Sequence, residues 1–249
     1  MLRTLVFVTM GIGAVVIGGC ALMYNADDQP VEAALKKAVP NATVHAVRAS
    51  PIPGISEVEL DGQIVYVSND GKFLLAGDLY DLQARSNLTE EPRAQAVSRL
   101  IDGVGESNMI VMGPDHPRRT ITVFTDVDCP YCARLHLEVP QLTKQGVKVR
   151  YLLFPRDGIG SETYRRSVAV WCAADRVKAV GMAKAGKPLE MKTCQNPVSE
   201  HYRLGERLHV SGTPTIFTDD GLKIGGYVPA ERLLAILGTS GVPEAALKR

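Results

Sequence analysis

With 249 residues, 45% hydrophobic and 22% charged, the chain has the composition of a folded globular protein, sized for one large domain or two small ones. Lys plus Arg number 28 against 27 for Asp plus Glu, and no basic run of five or more occurs. That balance leaves no field to draw in nucleic acid or an acidic membrane surface, so neither is expected as a partner.

Residues 1–26 differ from the rest. Arg3 is the only early charge, the stretch from Leu5 to Met23 is uncharged, and charge returns at Asp27 and Asp28. A positive start, an apolar core and small residues at its end read as an export signal. Three fates are open. Ile17-Gly18-Gly19-Cys20 is similar to a bacterial lipoprotein box, which would lipidate Cys20. A signal peptidase would instead cut near Gly19 or Ala21. An apolar run of about 19 residues is also just long enough to span a bilayer uncut. Each fate puts residues 27–249 outside the cytoplasm.

Residues 31–39 suit a short helix with Val31, Leu35 and Val39 on one face, stopped at Pro40. Short strands follow at 44–47, around Val58 and Leu60, at 64–67 and at 73–75, separated by the turn signals Asp61-Gly62 and Asn69-Asp70-Gly71. Residues 27–85 therefore read as an α+β unit, a helix on a small antiparallel sheet. A unit this small, with no cysteine, is marginal alone and is expected to dimerise, the competing reading being a small domain that simply packs on its neighbour. Residues 86–105 read as a linker helix, with Thr89 as its cap, Glu90 and Glu91 in its first turn and a stripe of Val97, Leu100 and Ile101. Gly103 and Gly105 end it.

Residues 106–249 read as an α/β domain. A β-rich run at 120–128 leads into Cys129-Pro130-Tyr131-Cys132, a helix over 133–142 with a break or kink at Pro140 near its end, and a strand over Val147–Leu153. Strand, helix and strand at this spacing make a βαβ unit with a parallel pair. Residues 161–206 are expected to be mostly helical, with Ser161 as a cap and a break at 186–188. A strand at 216–217 follows Thr213-Pro214, then a turn at 219–221, a strand over 223–227 and a closing helix over 229–237.

Setting aside Cys20, four cysteines remain: 129, 132, 172 and 194. An even number in an oxidising compartment suggests two pairs with different roles, one reactive and one structural. A structural link across a loop as long as 172–194 stabilises by roughly 3 kcal/mol in the chain-entropy model. At Cys129 the chain switches from strand to helix, so its sulfur would face the free N–H groups and positive pole of the helix start. Both favour the thiolate, the form that attacks a disulfide. Pro130 fits the first helical position, where its missing N–H costs nothing. Cys132, one turn further in, is expected to be more buried. Cys129 is thus assigned as the nucleophile and Cys132 as the resolving thiol. Asp126 and Asp128 lie close and would oppose the thiolate if they point inward. The competing readings are a zinc site using Cys129, Cys132 and His136, which lacks a fourth ligand, and a bracing disulfide. Thr213-Pro214 interrupts an apolar segment, where a proline normally marks a strand start, edge or bend. If it packs beside Cys129, the Thr213 backbone is placed to pair with a client strand. His45, His116, His201 and His209 are scattered and are expected at the surface or in caps.

The runs FTDVDCPYCARLH, VRYLLFPR, VSGTP followed by GGY, and GKFLLAGDLYDL together resemble the bacterial periplasmic disulfide isomerases of the DsbC/DsbG family. The resemblance covers almost all of residues 30–240. It implies a homodimer with a cystatin-like N-terminal dimerisation domain and a thioredoxin-like catalytic domain carrying a helical insertion. It implies that Cys129 and Cys132 are the redox pair, Thr213-Pro214 the cis-proline loop and Cys172–Cys194 a structural disulfide. It further implies a periplasmic location, misoxidised exported proteins as clients, a membrane electron donor of the DsbD type, and no cofactor or metal. One departure stands out. DsbC proteins usually have Gly-Tyr between the cysteines, whereas Pro130-Tyr131 matches DsbG. The balance between isomerase, DsbG-like reductase or chaperone, and disulfide-donating oxidase stays open, because this dipeptide helps set the potential.

Overall fold

A computed structural model describes residues 29–239. Cys20 and the export segment lie outside the described residues. Among the described residues no helix is long and apolar enough to cross a membrane.

The N-terminal part is helix α1 (Gln29–Ala38) on a four-stranded antiparallel sheet of β1 (Val44–Ala49), β2 (Ile55–Leu60), β3 (Gln63–Ser68) and β4 (Leu74–Ala76), in the order β1-β2-β3-β4. The alternation of side chains along β3 divides its residues between two apolar layers. Val65 and Val67 pack with Val31 and Leu35 of α1, while Ile64 and Tyr66 pack with Ala96 on the opposite face. Val39, expected on the inner face of α1, lies past the helix end and is exposed. A small hairpin, β5 (Tyr80–Asp81) with β6 (Ser86–Asn87), occupies the expected start of the linker helix.

Helix α2 (Glu90–Asp102) therefore begins four residues later than 86. Thr89 stands at its N-cap position, but its side chain makes no cap bond. It is fully buried, accepts from the Leu79 amide at 2.8 Å and pairs with the Tyr66 hydroxyl at 2.6 Å. The hydroxyl ties hairpin to sheet instead of capping the helix, because burial rewards the contact that satisfies most partners.

A 3-10 turn (Glu106–Asn108) leads into the second sheet, made of β7 (Ile110–Met112), β8 (Arg119–Thr125), β9 (Val147–Leu153), β10 (Thr215–Thr218) and β11 (Lys223–Gly225). Their order is β11-β10-β8-β9-β7. β8 and β9 are parallel, with Ile121 opposite Val149, and the other pairs are antiparallel. The crossover between β8 and β9 is α3 (Pro130–Lys144). Pro140 lies inside this helix without ending it. Helices α4 (Glu162–Trp171), α5 (Arg176–Lys184) and α6 (Val198–Arg207) form the insertion, and α7 (Ala230–Ile236) closes the chain. Ser161 caps α4 by accepting from the Tyr164 amide at 3.1 Å.

Period two again splits the central strands. Ile121, Val123, Val149, Tyr151 and Ile216 face a core shared with Leu135, Val139 and Leu233 of α3 and α7. Phe124, Leu152 and Phe217 face the other way, against Val97 and Ile101 of α2 and Leu204 of α6. The sheet is covered on both faces, as a sheet with a parallel centre requires.

Candidate active site

Cys129 ends the loop after β8 and is the N-cap of α3, with φ −81° and ψ 124°, and Pro130 follows at the first helical position. The local sequence explains this. A proline cannot continue a strand ladder but is preset for a helix start, so the chain turns from extended to helical at Cys129. Cys129 and Cys132 are 2% and 1% exposed and are not bonded to each other. Tyr131 between them is exposed.

The Cys129 thiol donates to the Thr213 carbonyl at 3.3 Å. The Thr213–Pro214 peptide is cis, and the Pro214 carbonyl accepts from the Gly226 amide at 2.9 Å, which fixes the loop to β11. The Thr213 hydroxyl is buried without a partner of its own. Burial pushes the Cys129 pKa up, but the otherwise unpartnered Thr213 hydroxyl, which can turn its hydrogen to a thiolate, and the Cys132 and Tyr131 amides outweigh it, so the thiol lies below its ordinary value. Cys132 goes the other way. Burial raises its pKa, opposed by the cation of Lys184 and by the Thr125 hydroxyl. Two sulfurs one helical turn apart are thereby made unequal.

Asp126 does point inward and is 1% exposed. Its carboxylate accepts from the Asp128 amide at 2.7 Å, the Thr163 hydroxyl at 3.0 Å, and the Arg156 amide and Nε at 2.9 and 3.1 Å. It anchors the loop before Cys129 to α4 and to the loop after β9. Asp128 turns outward to Arg166 at 3.0 Å. His136 Nδ1 lies 3.2 Å from the Tyr151 hydroxyl, and burial holds its pKa down to about 4. Among the described residues no three His, Cys, Asp or Glu side chains converge as a metal site requires.

Cys172 and Cys194 form a disulfide with a Cα–Cα distance of 5.7 Å. It links the end of α4 to the segment before α6.

Three residues escaped the sequence reading. His201, expected at the surface, is 1% exposed. Its Nδ1 accepts from the Leu153 amide at 3.2 Å and its Nε2 donates to the Asn108 carbonyl at 2.7 Å. Arg156 was read as part of a family run without a role. Lys184 was not singled out, yet its ammonium lies inside the protein, bonded to Thr125 Oγ1 at 2.7 Å. A signal existed: Lys184 is four residues past Val180, on the stripe that α5 buries.

Comparison with known proteins agrees with this architecture. Residues 24–90 match the disulfide bond isomerase protein N-terminal domain, and residues 106–240 match a thioredoxin-like domain. The thiol:disulfide interchange protein DsbC of Salmonella typhimurium is 34% identical over 233 residues, covering 93% of this chain and 94% of that one. The DsbC of Haemophilus influenzae is 38% identical over 215 residues, covering 84% and 91%. A disulfide interchange protein from Neisseria gonorrhoeae, of known crystal structure, gives a TM-score of 0.48 at 31% identity, covering 54% of this chain and 96% of that one. A match of both domains in order, together with identity at this level over nearly the full length, shows that the chain belongs to the DsbC family and is a thiol–disulfide oxidoreductase of the isomerase type.

Proposed function

We propose that the reaction is carried by Cys129 as nucleophile and Cys132 as resolving thiol, acting on wrong disulfides in exported proteins. The observation that carries the assignment is the position of the Cys129 sulfur, at the N-cap of α3 and 3.3 Å from the Thr213 carbonyl. A thiolate there is stabilised by the helix N-terminus. It attacks a client disulfide, one client sulfur leaves as thiolate, and a mixed disulfide forms. If a different client thiol then attacks the mixed disulfide, a new client disulfide forms and Cys129 is released with no net redox change. If the mixed disulfide persists, Cys132 attacks it, the client leaves reduced, and the pair is left as a disulfide.

That second outcome consumes two electrons, so the enzyme needs an external reductant, which we assign to a membrane donor of the DsbD type. No cofactor enters either route. Thr213 and Pro214 line the client side of the sulfur, and the exposed Tyr131 adds an aromatic contact beside it.

Residues 27–85 are proposed as the dimerisation domain of a homodimer, 86–105 as the linker and 106–249 as the catalytic domain. Support comes from the edge strand β4 and its surroundings, where Phe73 is 70% exposed, Leu75 56% and Leu82 87%. An apolar edge of this kind calls for a covering strand. A periplasmic location fits the export-like start of the chain and the Cys172–Cys194 disulfide, which needs an oxidising compartment.

Trapping the thiol state of Cys129 and Cys132 in cells tests the direction of the reaction. An isomerase or reductase is recovered with the pair as thiols, and an oxidase with it as a disulfide. Cys129→Ser tests the nucleophile. Refolding of a scrambled multi-disulfide client should be lost while any suppression of client aggregation remains, and unchanged refolding refutes the assignment.

A further inference from the structure

Lys184 lies on α5, outside the C-x-x-C motif and its helix. Val180 and Ala183 beside it are buried, and the lysine stem follows them inward. Its ammonium donates to Thr125 Oγ1 at 2.7 Å and to the Asp126 carbonyl at 3.1 Å, and lies 5.5 Å from the centre of the Tyr151 ring. Both hydrogen-bond acceptors are neutral. The Asp126 carboxylate is turned to Arg156, Thr163 and the Asp128 amide.

An ammonium out of water among neutral groups is unfavourable, and burial pulls the Lys184 pKa down. The charged and titratable groups that face it are Cys132 and Cys129 at the start of α3, Asp126 and Asp128 in the preceding loop, His136 on α3 and Tyr151 on β9. His136 is held neutral, and Tyr151 has its pKa pushed up by burial, so neither supplies an anion near neutrality. Asp128 pairs with Arg166. Arg156, the partner of Asp126, bears on both sulfurs from the loop after β9, while Lys184 and the Thr125 hydroxyl favour the Cys132 sulfur as thiolate. Thr125 joins Lys184 to Cys132. Its oxygen accepts from Lys184, which leaves its hydrogen for Cys132.

We propose that Lys184 is a positioning residue of the exchange reaction: its buried ammonium, acting through Thr125, readies Cys132 to resolve the mixed disulfide and favours the dithiol over the disulfide form of the pair. This rests on the roles given above to Cys129 and Cys132. In the resolving step the Cys132 thiolate attacks the Cys129 sulfur, the Cys129–client bond breaks, and the client sulfur takes up the proton that Cys132 gave up. Once the pair is a disulfide, neither Cys129 nor Cys132 can present a thiolate to the ammonium, so oxidation leaves the buried charge uncompensated.

The test uses the full mature protein as wild type and as Lys184→Met, Lys184→Gln and Lys184→Arg. Equilibration with glutathione buffers reads the potential. Stopped-flow release of thionitrobenzoate from a mixed disulfide at Cys129 reads the resolving step against pH. Met and Gln should each shift the glutathione equilibrium about tenfold toward the protein disulfide, about 30 mV for a two-electron couple. They should also slow release by about tenfold near neutrality, with the midpoint of the pH profile moved up. Arg should stay near wild type.

Gln separates charge from scaffolding, since its amide keeps a neutral donor on the same stem, one carbon shorter. A Gln variant with wild-type potential and pH profile overturns the proposal. Should both neutral variants fail to fold, the wild type decides. Its disulfide form should melt below its dithiol form, and the opposite order overturns the proposal. Failure of the underlying assignment looks different: the wild type would then not exchange with glutathione at Cys129.

Discussion

Asp126→Asn is the sharpest test of how the loop before Cys129 is held. The carboxylate has two oxygens, and each accepts two hydrogen bonds: one takes the Asp128 amide and Thr163, the other the Arg156 amide and Nε. All four partners are donors. An asparagine keeps one oxygen and replaces the other by an NH2 group, which must face two of those donors whichever way the amide turns. Two bonds to a charged acceptor are lost, and buried donors are left without partners. At about 1.5–3 kcal/mol for each bond to a charged group the loss would reach about 3–6 kcal/mol. The Arg156 side chain is 45% exposed, so solvent screens part of its share. The lower end, about 3 kcal/mol, is the expected cost, and for a domain of this size it lowers the melting temperature by about 10 °C. Thermal unfolding of the reduced protein, followed by circular dichroism, measures it. A shift below about 2 °C would mean that the loop is held by backbone contacts alone and that the four-bond anchor is unimportant.

His201 predicts acid sensitivity. Its Nδ1 accepts from Leu153, so the ring must be neutral in the fold, and burial lowers its pKa from 6.5 to about 4. Protonation therefore favours the unfolded chain. The stability it contributes is complete above pH 6.5 and is lost as pH falls toward 4, to a limit of about 3 kcal/mol. His201→Gln should flatten the fall of melting temperature between those values, and a slope equal to wild type argues against the buried neutral ring. The Cys172→Ser/Cys194→Ser protein, lacking the link across 22 residues, should lose about 3 kcal/mol in urea titration. A loss below about 1 kcal/mol would show that the unfolded loop is already constrained. Glu59 is 2% exposed and pairs with Arg99 of α2 and, at 3.5 Å, with Arg48. Arg99→Met should cost about 2 kcal/mol by leaving a buried carboxylate half-compensated, and restoring stability with a second change, Glu59→Gln, would identify that charge as the cause.

Much of the architecture is legible along the chain. The alternation in β3 and β8, the turn signals between the N-terminal strands, and the strand-to-helix switch at Cys129-Pro130 all rest on interactions within a few residues. The misreadings share one cause. Thr89 looks like a cap by position, but a buried hydroxyl takes the partners the fold brings to it, here Tyr66 and Leu79. Pro140 looks like a break, yet α3 packs against β9, α5 and α7, and that tertiary packing carries it through to Lys144. His201 carries no local sign of burial, because its two partners, Leu153 and Asn108, are 48 and 93 residues away.

The placing of Cys129 at a helix N-cap was therefore readable from four consecutive residues, since capping and proline geometry are local. Which groups surround that pair was decided by the sheet. The register of β10 on β8 brings Thr213 to Cys129 across 84 residues, and the packing of α5 brings Lys184 to Thr125 across 59. Backbone rules reach only a turn or two along the chain, whereas a thiolate's stability depends on every dipole and charge within several ångströms, whatever its place in the sequence.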